Sequence, residues 1–271
     1  MGVEMKREAK KTVYFADKMG FTLVEIMLAI AIGLIIIGAI SLSLRSGLYS
    51  SAGIEAKTTA QQEVRAAIEM MALEIGMASY NPTFTSAAIW RNPADCQNQS
   101  ANPLRKGIQV ATADSLTIEM DINNNSFISK DPTDPGNPDN NPNEIFAYVY
   151  DAANQRITRS TNCGGNFDLI GCIDANGDGT CDNNDTFRSV RVINDANTPV
   201  FRYFNGTGTE FAPNPALTTC IQNPANAHIC NIRRIDITLA VESDVIDPMT
   251  KQRHKLIYSV SVNPRNHAIN P

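Results

Sequence analysis

The sequence contains few histidines, no excess of positive charge and no group of residues arranged like a catalytic set. Its three histidines, His228, His254 and His267, are scattered without the spacing of metal ligands. Lysine and arginine total 23 against 28 aspartates and glutamates, which gives a formal net charge of -5. An acidic balance argues against nucleic acid as a partner, because phosphate backbones attract basic surfaces. We therefore predict a protein that is not an enzyme and that binds no nucleic acid.

A second absence is local, because the stretch from Phe21 to Leu44 contains a single charged residue, Glu25, and no proline. More than about 20 apolar residues can cross a bilayer as a helix, since a helix satisfies its own backbone polar groups. A secretory signal would have a shorter apolar core with a small-residue cleavage site after it. Here the small residue, Gly20, stands before the apolar run and after a basic segment. The basic residues of that segment are Lys6, Arg7, Lys10, Lys11 and Lys18. We predict a single membrane span with the C-terminal part outside the cytoplasm, following the positive-inside rule.

The residues Gly20-Phe-Thr-Leu-Val-Glu25, with the apolar residues up to about Leu44, resemble the class III signal of type IV pilins and of the related type II secretion pseudopilins. The resemblance implies that the prepilin peptidase, a membrane aspartic protease, cuts between Gly20 and Phe21. The same enzyme would then methylate the new terminal amine of Phe21, so that residues 1–20 form a cleaved leader. The resemblance also implies an inner-membrane protein that later joins a cell-surface pilus, with other pilins as partners.

The position of Glu25 in the apolar run indicates a function independently of the family resemblance. A carboxylate in hydrocarbon is costly unless it is neutralised, so such residues usually have a partner and a function. After cleavage the nearest positive charge is the amine of Phe21, in the same chain or in a neighbour. Pairing with a neighbour's amine would draw a subunit from lipid into a growing filament at a fixed register. The alternative is a carboxyl group that is protonated or that reaches the membrane interface.

The helix is predicted to continue beyond the apolar run as an amphipathic half, because apolar residues recur at steps of four and three. This stripe consists of Val64, Ile68, Met71, Ile75 and Ala78. The charged residues placed on other faces are Glu63, Arg65, Glu69 and Glu74. Asn81-Pro82 predicts the end of the helix near Ser79, since proline cannot continue the backbone hydrogen bonding. We expect a hydrophobic half at 21–52 and an amphipathic half at 53–80.

Short alternating runs after the helix predict β-strands. They lie at 115–120, 144–150, 155–159, 200–204, 234–241 and 255–262. The last two flank a turn and are expected to pair as a hairpin. One long helix followed only by strands predicts an α+β fold, with the helix packed on an antiparallel β-sheet. We expect this β-rich domain at 81–271, with long disulfide-bearing loops and an insertion at about 121–185. The fold implied by the resemblance is the type IV pilin fold.

Several shorter segments resemble PilW-type minor pilins. These segments are 66–80, 116–123, 144–148, 157–159 and 260–266. This second resemblance implies a structural minor pilin that initiates or caps pilus assembly through its N-terminal helix. Two alternatives stay open: a minor pseudopilin of a type II secretion system, whose J-type members share the layout, and a tip adhesin. A separate tip adhesin is also a possible partner.

The chain has six cysteines, all of them beyond the apolar run. They are Cys96, Cys163, Cys172, Cys181, Cys220 and Cys230. An even set on an exported domain predicts disulfides, with fifteen possible connectivities. We expect at least two disulfides within the chain. The short separation of Cys220 and Cys230 makes that pair the best single prediction.

An acidic segment from Asp174 to Asp185 has the spacing of a calcium-binding loop. The predicted side-chain ligands are Asp174, Asn176, Asp178, Asp182 and Asp185, and Thr180 would contribute its carbonyl oxygen. Calcium takes six to eight oxygen ligands, and a glycine such as Gly179 permits the sharp turn that gathers them. No helices flank this loop, so it would bind Ca²⁺ without being an EF-hand. The alternative is an acidic turn closed by Cys172 or Cys181.

A second, weaker calcium pattern begins at Asp121. The run Asp121-Ile-Asn-Asn-Asn125 starts like the first loop but lacks its glycine, and Glu144 would have to close it. The intervening segment 131–143 is rich in proline and asparagine, and its alternative interpretation is a solvated loop.

Overall fold

The computed structural model describes most of the chain as a long helix followed by twelve strands. The described residues are 20–83, 89–94, 96, 98, 100–126, 128, 143–182, 184–217, 219–220 and 226–268. The predicted leader, except Gly20, lies outside them. The chain divides into two compact units, Met1–Leu48 and Tyr49–Pro271, and each is described by itself.

Helix α1 runs from Leu23 to Gly76 and passes through the boundary between the two units. In the first unit its apolar side chains are exposed, from Leu23 through Leu44. Within the described residues it is the one helix long and apolar enough to cross a membrane, by length and composition. The prediction of an N-terminal helix capable of spanning a membrane is confirmed. Its bounds are a few residues shorter than the predicted 21–79.

The second unit is built around the predicted apolar stripe of α1. All five stripe residues are almost completely buried and belong to the main hydrophobic core. Residues of the strands complete that core, among them Leu116, Tyr148 and Leu239. At about 25 cal/mol for each Å² of apolar surface removed from water, this burial is the main stabilising term of the unit.

The strands form two five-stranded sheets and one small two-stranded sheet, and every pairing is antiparallel. The strands are β1 (Ile108–Ala111), β2 (Ser115–Glu119), β3 (Ile145–Asp151), β4 (Arg156–Thr161), β5 (Phe167–Ile170), β6 (Cys172–Ile173), β7 (Thr186–Phe187), β8 (Val190–Val192), β9 (Phe201–Phe204), β10 (Glu210–Phe211), β11 (Arg234–Ser243) and β12 (Lys255–Val262). The first sheet has the order β1-β2-β3-β4-β5, and the second has β10-β9-β11-β12 with β8 also pairing with β11. The fold is therefore α+β with the helix on antiparallel sheets, as predicted.

Strands β11 and β12 form the predicted hairpin and run alongside α1. Their register is regular from the Ile235–Val262 pair to the Glu242–Lys255 pair. A Cβ atom added at Gly76 would lie 3.8 Å from Val262, at the base of the hairpin. A Cβ atom added at Gly53 would lie 3.5 Å from the Asp247 carboxylate, in the hairpin turn. The hairpin thus follows the helix from Gly76 back to Gly53, with its turn at the N-terminal end of the second unit's part of α1.

Two carboxylates of α1 outside the apolar stripe form polar contacts with the strand-rich part of the second unit. The Glu63 carboxylate accepts hydrogen bonds from the Ser189 N–H at 2.9 Å and from the Ser189 hydroxyl. The Glu74 carboxylate binds the Arg159 guanidinium at 2.6 and 3.1 Å and accepts from the Tyr148 hydroxyl. Both residues lie off the buried stripe, as predicted, and their polar partners on a strand or loop were not foreseen.

Three disulfides join the six cysteines: Cys96–Cys163, Cys172–Cys181 and Cys220–Cys230. The expected Cys220–Cys230 pair and the expectation of at least two disulfides are confirmed. The Cys96–Cys163 bond links the loop after α1 to the end of β4. It belongs to a small second core that also contains Trp90, Ile128 and Ile145.

Glu119 is a fully buried acid at the end of β2. Its Oε2 accepts hydrogen bonds from the Arg91 N–H at 2.9 Å and from Gln109 Nε2 at 3.4 Å. Its Oε1 has no partner among the described residues. Burial raises the pKa of Glu119 to about 8, despite the opposing effect of those hydrogen bonds. The folded state therefore holds a proton on Glu119 that the unfolded state releases near pH 4.5.

His267 is a fully buried base with the opposite shift. Its Nε2 donates to the Ile229 carbonyl at 3.0 Å, so its Nδ1 accepts from the Ser79 hydroxyl at 2.8 Å. Burial, aided by the nearby charge of Lys106, lowers the pKa of His267 to about 3. The stability that this neutral ring contributes is complete above pH 6.5 and is lost as pH falls towards 3.

The Glu119→Gln variant should be less sensitive to alkaline pH than the native chain. The contribution of Glu119 is present below pH 4.5 and is lost as pH rises to about 8, while His267 opposes this loss only below pH 6.5. Between pH 6.5 and 8 the native chain should lose up to about 1.4 kcal/mol of unfolding free energy per pH unit from this group. Urea denaturation of the detergent-solubilised chain at the two pH values measures the loss. Equal slopes for native and variant chains would contradict the assignment.

Candidate functional site

The first turn of α1 contains a capping box formed by Thr22 and Glu25. The Glu25 N–H donates to Thr22 Oγ1 at 3.2 Å, and the Thr22 N–H donates to Glu25 Oε2 at 3.2 Å. The Thr22 hydroxyl also lies 3.3 Å from the same carboxylate oxygen. These bonds satisfy backbone donors that a helix start leaves unpaired. Glu25 therefore has a local structural role that the sequence interpretation missed, although the Thr-x-x-Glu pattern before an apolar run was visible.

Phe21 and Glu25 lie on one side of the helix start. With Ile26, Ala29 and Ile30 they line an open recess of about 490 Å³. Glu25 Oε2 takes all the hydrogen bonds described for this carboxylate, so Oε1 can accept a further donor. Gly20 has no neighbour within 4 Å of an added Cβ atom. The predicted cleavage at Gly20–Phe21 and methylation at Phe21 remain predictions, as does the pairing of Glu25 with an amine.

The acidic loop is organised by Asp174, which accepts three main-chain hydrogen bonds. Asp174 Oδ1 accepts from Gly177 at 2.7 Å and from Asp178 at 3.2 Å, and Oδ2 accepts from Gly179 at 2.8 Å. Gly177 and Gly179 have φ values of +74° and +86°, a region that other residues rarely adopt. The two glycines thus let the chain wrap around the first carboxylate of the predicted calcium loop.

The predicted ligands Asn176, Asp178 and Thr180 are joined by hydrogen bonds on the exposed side of the loop. Asp178 Oδ1 accepts from the Thr180 N–H at 2.8 Å and from its hydroxyl at 2.7 Å. Asn176 donates to Asp178 Oδ2 at 2.9 Å and accepts from the Asp178 N–H at 3.1 Å. These bonds, first of all the one from the Thr180 hydroxyl, lower the pKa of Asp178. Its carboxylate is therefore ionised at neutral pH.

Asp185 closes the loop back onto its beginning. Its Oδ1 accepts from the Ala175 N–H at 2.9 Å, and its Oδ2 accepts from the Asp182 N–H at 3.0 Å. Carboxylate oxygens of Asp174, Asp178 and Asp185 lie within 4.8 Å of one another. Asp182 is not part of this group, and its Oδ1 accepts from the Asn184 N–H at 2.7 Å. Of the four predicted carboxylate ligands, the structure thus brings three together.

Arg156, which sequence reasoning missed, holds the loop against the first sheet. This buried guanidinium lies 3.1 Å from Asp168 and 3.6 Å from Asp174, and it donates to the Gly179 carbonyl at 3.1 Å. Asn154 donates to the same carbonyl at 3.0 Å and accepts from the Cys181 N–H at 2.7 Å. The Cys172–Cys181 disulfide closes the base of the loop.

The carboxylates of the second predicted calcium segment accept hydrogen bonds from main-chain N–H groups of the same segment. Asp121 accepts hydrogen bonds from the Asn125 and Ser126 N–H groups at 3.2 and 3.0 Å, and Glu144 accepts from Ile122 at 3.1 Å. Residues 131–142 lie outside the described residues. The groups of three or more metal-binding side chains found within the described ranges do not include Asp121 or Glu144.

Two arrangements can therefore be described chemically: a carboxylate at the start of an unburied apolar helix, and three carboxylates converging in a braced loop. Oxygen ligands of the second kind are those that Ca²⁺ prefers. Comparisons of the chain with protein-family models, with curated proteins and with solved structures find no match. Functional interpretation accordingly rests on the residues and the geometry.

Proposed function

We propose that this protein is a minor pilin, a structural subunit that initiates or caps a type IV pilus through α1. The observation that carries the proposal is the contrast between an exposed apolar part and a buried part of one helix. The residues Gly20-Phe-Thr-Leu-Val-Glu25 introduce a helix whose first part, up to Leu44, buries none of its large apolar side chains. The part from Ala60 to Ile75, by contrast, packs into the core of a folded unit. An apolar surface of this size needs lipid or other helices to cover it.

In this proposal the chain first resides in the inner membrane with its second unit outside the cytoplasm. The three disulfides suit an oxidising compartment of that kind. Glu25 then pairs with the methylated amine of Phe21 of a neighbouring subunit, and α1 packs among the helices of the other pilins. The protein has no catalytic task in this role. Its partners are the prepilin peptidase, the membrane and other pilins, with a tip adhesin as a further candidate.

The two alternatives differ from the proposal in features that can be checked. A type II secretion pseudopilin would share the same helix, and the neighbouring genes would then encode secretion components in place of pilus components. A tip adhesin would need an aromatic-lined pocket within 121–185. An open cleft of about 620 Å³ lies elsewhere, between β1 and the β9–β10 pair.

The Gly20→Ala variant should keep its leader, whereas the native protein should begin at N-methylated Phe21. The protease needs an extended backbone beside a residue without a side chain, so an added methyl group obstructs cleavage. Intact-mass and N-terminal mass spectrometry of the membrane-bound protein measures both outcomes. Gly33→Ala is the matched control, because Gly33 also has no neighbour within 4 Å and lies inside the helix. A native protein that begins at Met1, or beyond Leu44, would refute the proposal.

We also propose that the acidic loop binds one Ca²⁺ ion. Asp174, Asp178 and Asp185 would hold it with carboxylate oxygens, Asn176 and Thr180 with carbonyl oxygens, and Asp182 directly or through water. The converging carboxylates support this assignment, since Arg156 alone offsets only part of their charge. The ion would supply the missing positive charge and lock the loop.

The native chain should therefore melt at a higher temperature in millimolar calcium than in chelator. Binding to the folded state alone contributes about 2.7 kcal/mol at a hundredfold excess over Kd, which is a rise of roughly 5–10 °C for a unit of this size. Asp178→Ala should abolish the difference and leave the chelated protein folded. Asp195→Ala is the control, because Asp195 also accepts main-chain hydrogen bonds in an exposed turn, at 2.9 and 2.8 Å. If calcium leaves the melting temperature of the native chain unchanged, the loop is an ordinary acidic turn and the calcium proposal is refuted.

A further inference from the structure

The turn of the β11–β12 hairpin, residues 244–253, exposes three large apolar side chains together. Val245 is 53%, Ile246 51% and Met249 60% exposed. Single exposed apolar residues are ordinary, but three within five residues of one turn form a patch. We call residues 244–253 the hairpin tip.

The hairpin tip is held in a fixed conformation. The Asp247 N–H donates to the Gln252 carbonyl at 3.0 Å, and the Lys251 N–H donates to the Asp247 carbonyl at 2.8 Å. Asp247 Oδ1 accepts from the Met249 N–H at 2.7 Å, and Oδ2 lies 3.1 Å from His254 Nε2. Because the turn is already ordered, docking of its apolar side chains would cost little conformational entropy.

The charges around the hairpin tip are unevenly compensated. Asp244 pairs with Arg191 at 2.8 Å and with Arg253 at 3.2 Å, Glu242 lies 3.8 Å from Arg253, and Asp247 contacts His254, which carries a charge only when protonated. Lys251 and Lys255 are both exposed, and neither forms an ion pair among the described residues. The tip therefore presents apolar side chains flanked by two lysines, and basic side chains beside apolar ones favour contact with an anionic lipid surface.

The hairpin tip is also tied to the part of α1 that follows the apolar run. Asp247 lies beside Gly53, and Gly53 comes nine residues after Leu44. At no more than about 3.5 Å per residue, chain connectivity keeps Gly53 within roughly 30 Å of Leu44. A tip attached there is within reach of the headgroup layer of any bilayer that the apolar run crosses.

We propose that the hairpin tip docks on the surface of the bilayer that α1 spans. Val245, Ile246 and Met249 enter the boundary between headgroups and acyl chains, while Lys251 and Lys255 face anionic phosphates. This inference requires that α1 crosses a membrane, but it does not depend on a role in a filament. It assigns the second unit a resting contact with lipid before any assembly.

Photo-labelling of the full chain in vesicles tests the contact. The chain is reconstituted with a trace of phospholipid that carries a photoreactive group on its acyl chain near the headgroup, in vesicles rich in phosphatidylglycerol. After illumination and trypsin digestion, the peptide 235–251 should carry the lipid adduct, as should peptides from α1. The peptide that contains Phe167 should stay unlabelled, although Phe167 is 67% exposed on β5. Labelled α1 with an unlabelled 235–251 peptide would overturn the proposal and leave the membrane span intact.

Two variants make the outcome specific. The triple variant Val245→Ser, Ile246→Ser and Met249→Ser should lose labelling of the tip several-fold without changing that of α1, and it removes no core residue. Unchanged labelling of this variant would overturn the apolar contact. The double variant Lys251→Gln and Lys255→Gln should lower tip labelling to the level seen in vesicles of phosphatidylcholine alone. Equal labelling of the native tip in both kinds of vesicle would overturn the role of the lysines.

Discussion

Replacing Glu25 with glutamine is expected to abolish incorporation of the chain into filaments while α1 stays in the membrane. Glutamine can still accept the hydrogen bonds that Thr22 donates to Glu25 Oε2, so the capping box survives. The negative charge, which would pair with a neighbouring amine, is lost. A charge-assisted hydrogen bond in a low-dielectric environment is far stronger than a neutral one, so the effect on assembly should be close to complete. The amount of protein in sheared filaments, relative to the membrane fraction, measures it.

The capping box supplies the matched controls for this experiment. Thr22→Ala removes the cap and keeps the charge, at a cost of about 1 kcal/mol to the helix start, and should still assemble. Glu25→Ala removes both and should fail like Glu25→Gln. Filaments with native amounts of the Glu25→Gln protein would show that Glu25 serves the helix cap alone.

Replacing Glu74 with alanine is expected to destabilise the second unit by about 3–5 kcal/mol, the usual cost of leaving a buried charge without its partner. Arg159 and Glu74 have side-chain exposures of only 19% and 13%, so little water can take over the lost contact. Arg159 would keep its position 4.8 Å from the Phe146 ring, which offsets only part of the loss. The Tyr148 hydroxyl would lose its acceptor as well. Chemical denaturation of the native and variant chains in detergent measures the difference.

Glu69→Ala is the control, because Glu69 is exposed on the same helix. Its replacement should change the unfolding free energy by less than about 0.5 kcal/mol. Glu74→Gln should fall between the two, since an amide still accepts from Tyr148 but leaves the guanidinium charge unpaired. Equal effects of the Glu69 and Glu74 substitutions would show that the buried pair adds nothing to stability.

The long helix, its buried stripe and the β11–β12 hairpin were predictable, because each depends on a pattern within one stretch of chain. The apolar positions of α1 repeat with the period of a helix, and β12 alternates along its whole length. Apart from β9, strands of two to four residues, such as β6 and β10, were not predicted. Runs of that length carry too little alternation to be told from loops, and their pairing partners supply the order.

Polar contacts between distant segments account for the rest of what the sequence did not reveal. Glu74 meets Arg159 across 85 positions of the chain, and Glu63 meets Ser189 across 126. The hydrophobic periodicity of a helix only places such carboxylates off the apolar face, because it contains no information about polar partners elsewhere in the chain. Arg156 was missed for the same reason, since its position beneath the acidic loop depends on the β3–β4 turn and not on the loop's own spacing.

The acidic loop was predictable in part, because some of its contacts are local and others involve distant segments. Its spacing predicted the wrapping of the chain around Asp174 and the approach of Asp178 and Asp185, because turn chemistry is local. The brace formed by Arg156 and Asn154 is not local, and it determines how rigidly the carboxylates are presented.

The attachment of α1 to the sheets has a mechanical consequence. The helix is held by a stripe of core residues between Ala60 and Ile75, and by carboxylate contacts at Glu63 and at Glu74. A force along the helix axis would shear all of these contacts at the same time, whereas a force across the axis would peel them away one after another. In the proposed filament, tension would act along the helices of the subunits. The rupture force of the second unit should therefore be higher when the chain is pulled by its N-terminus along α1 than when it is pulled sideways through a surface turn.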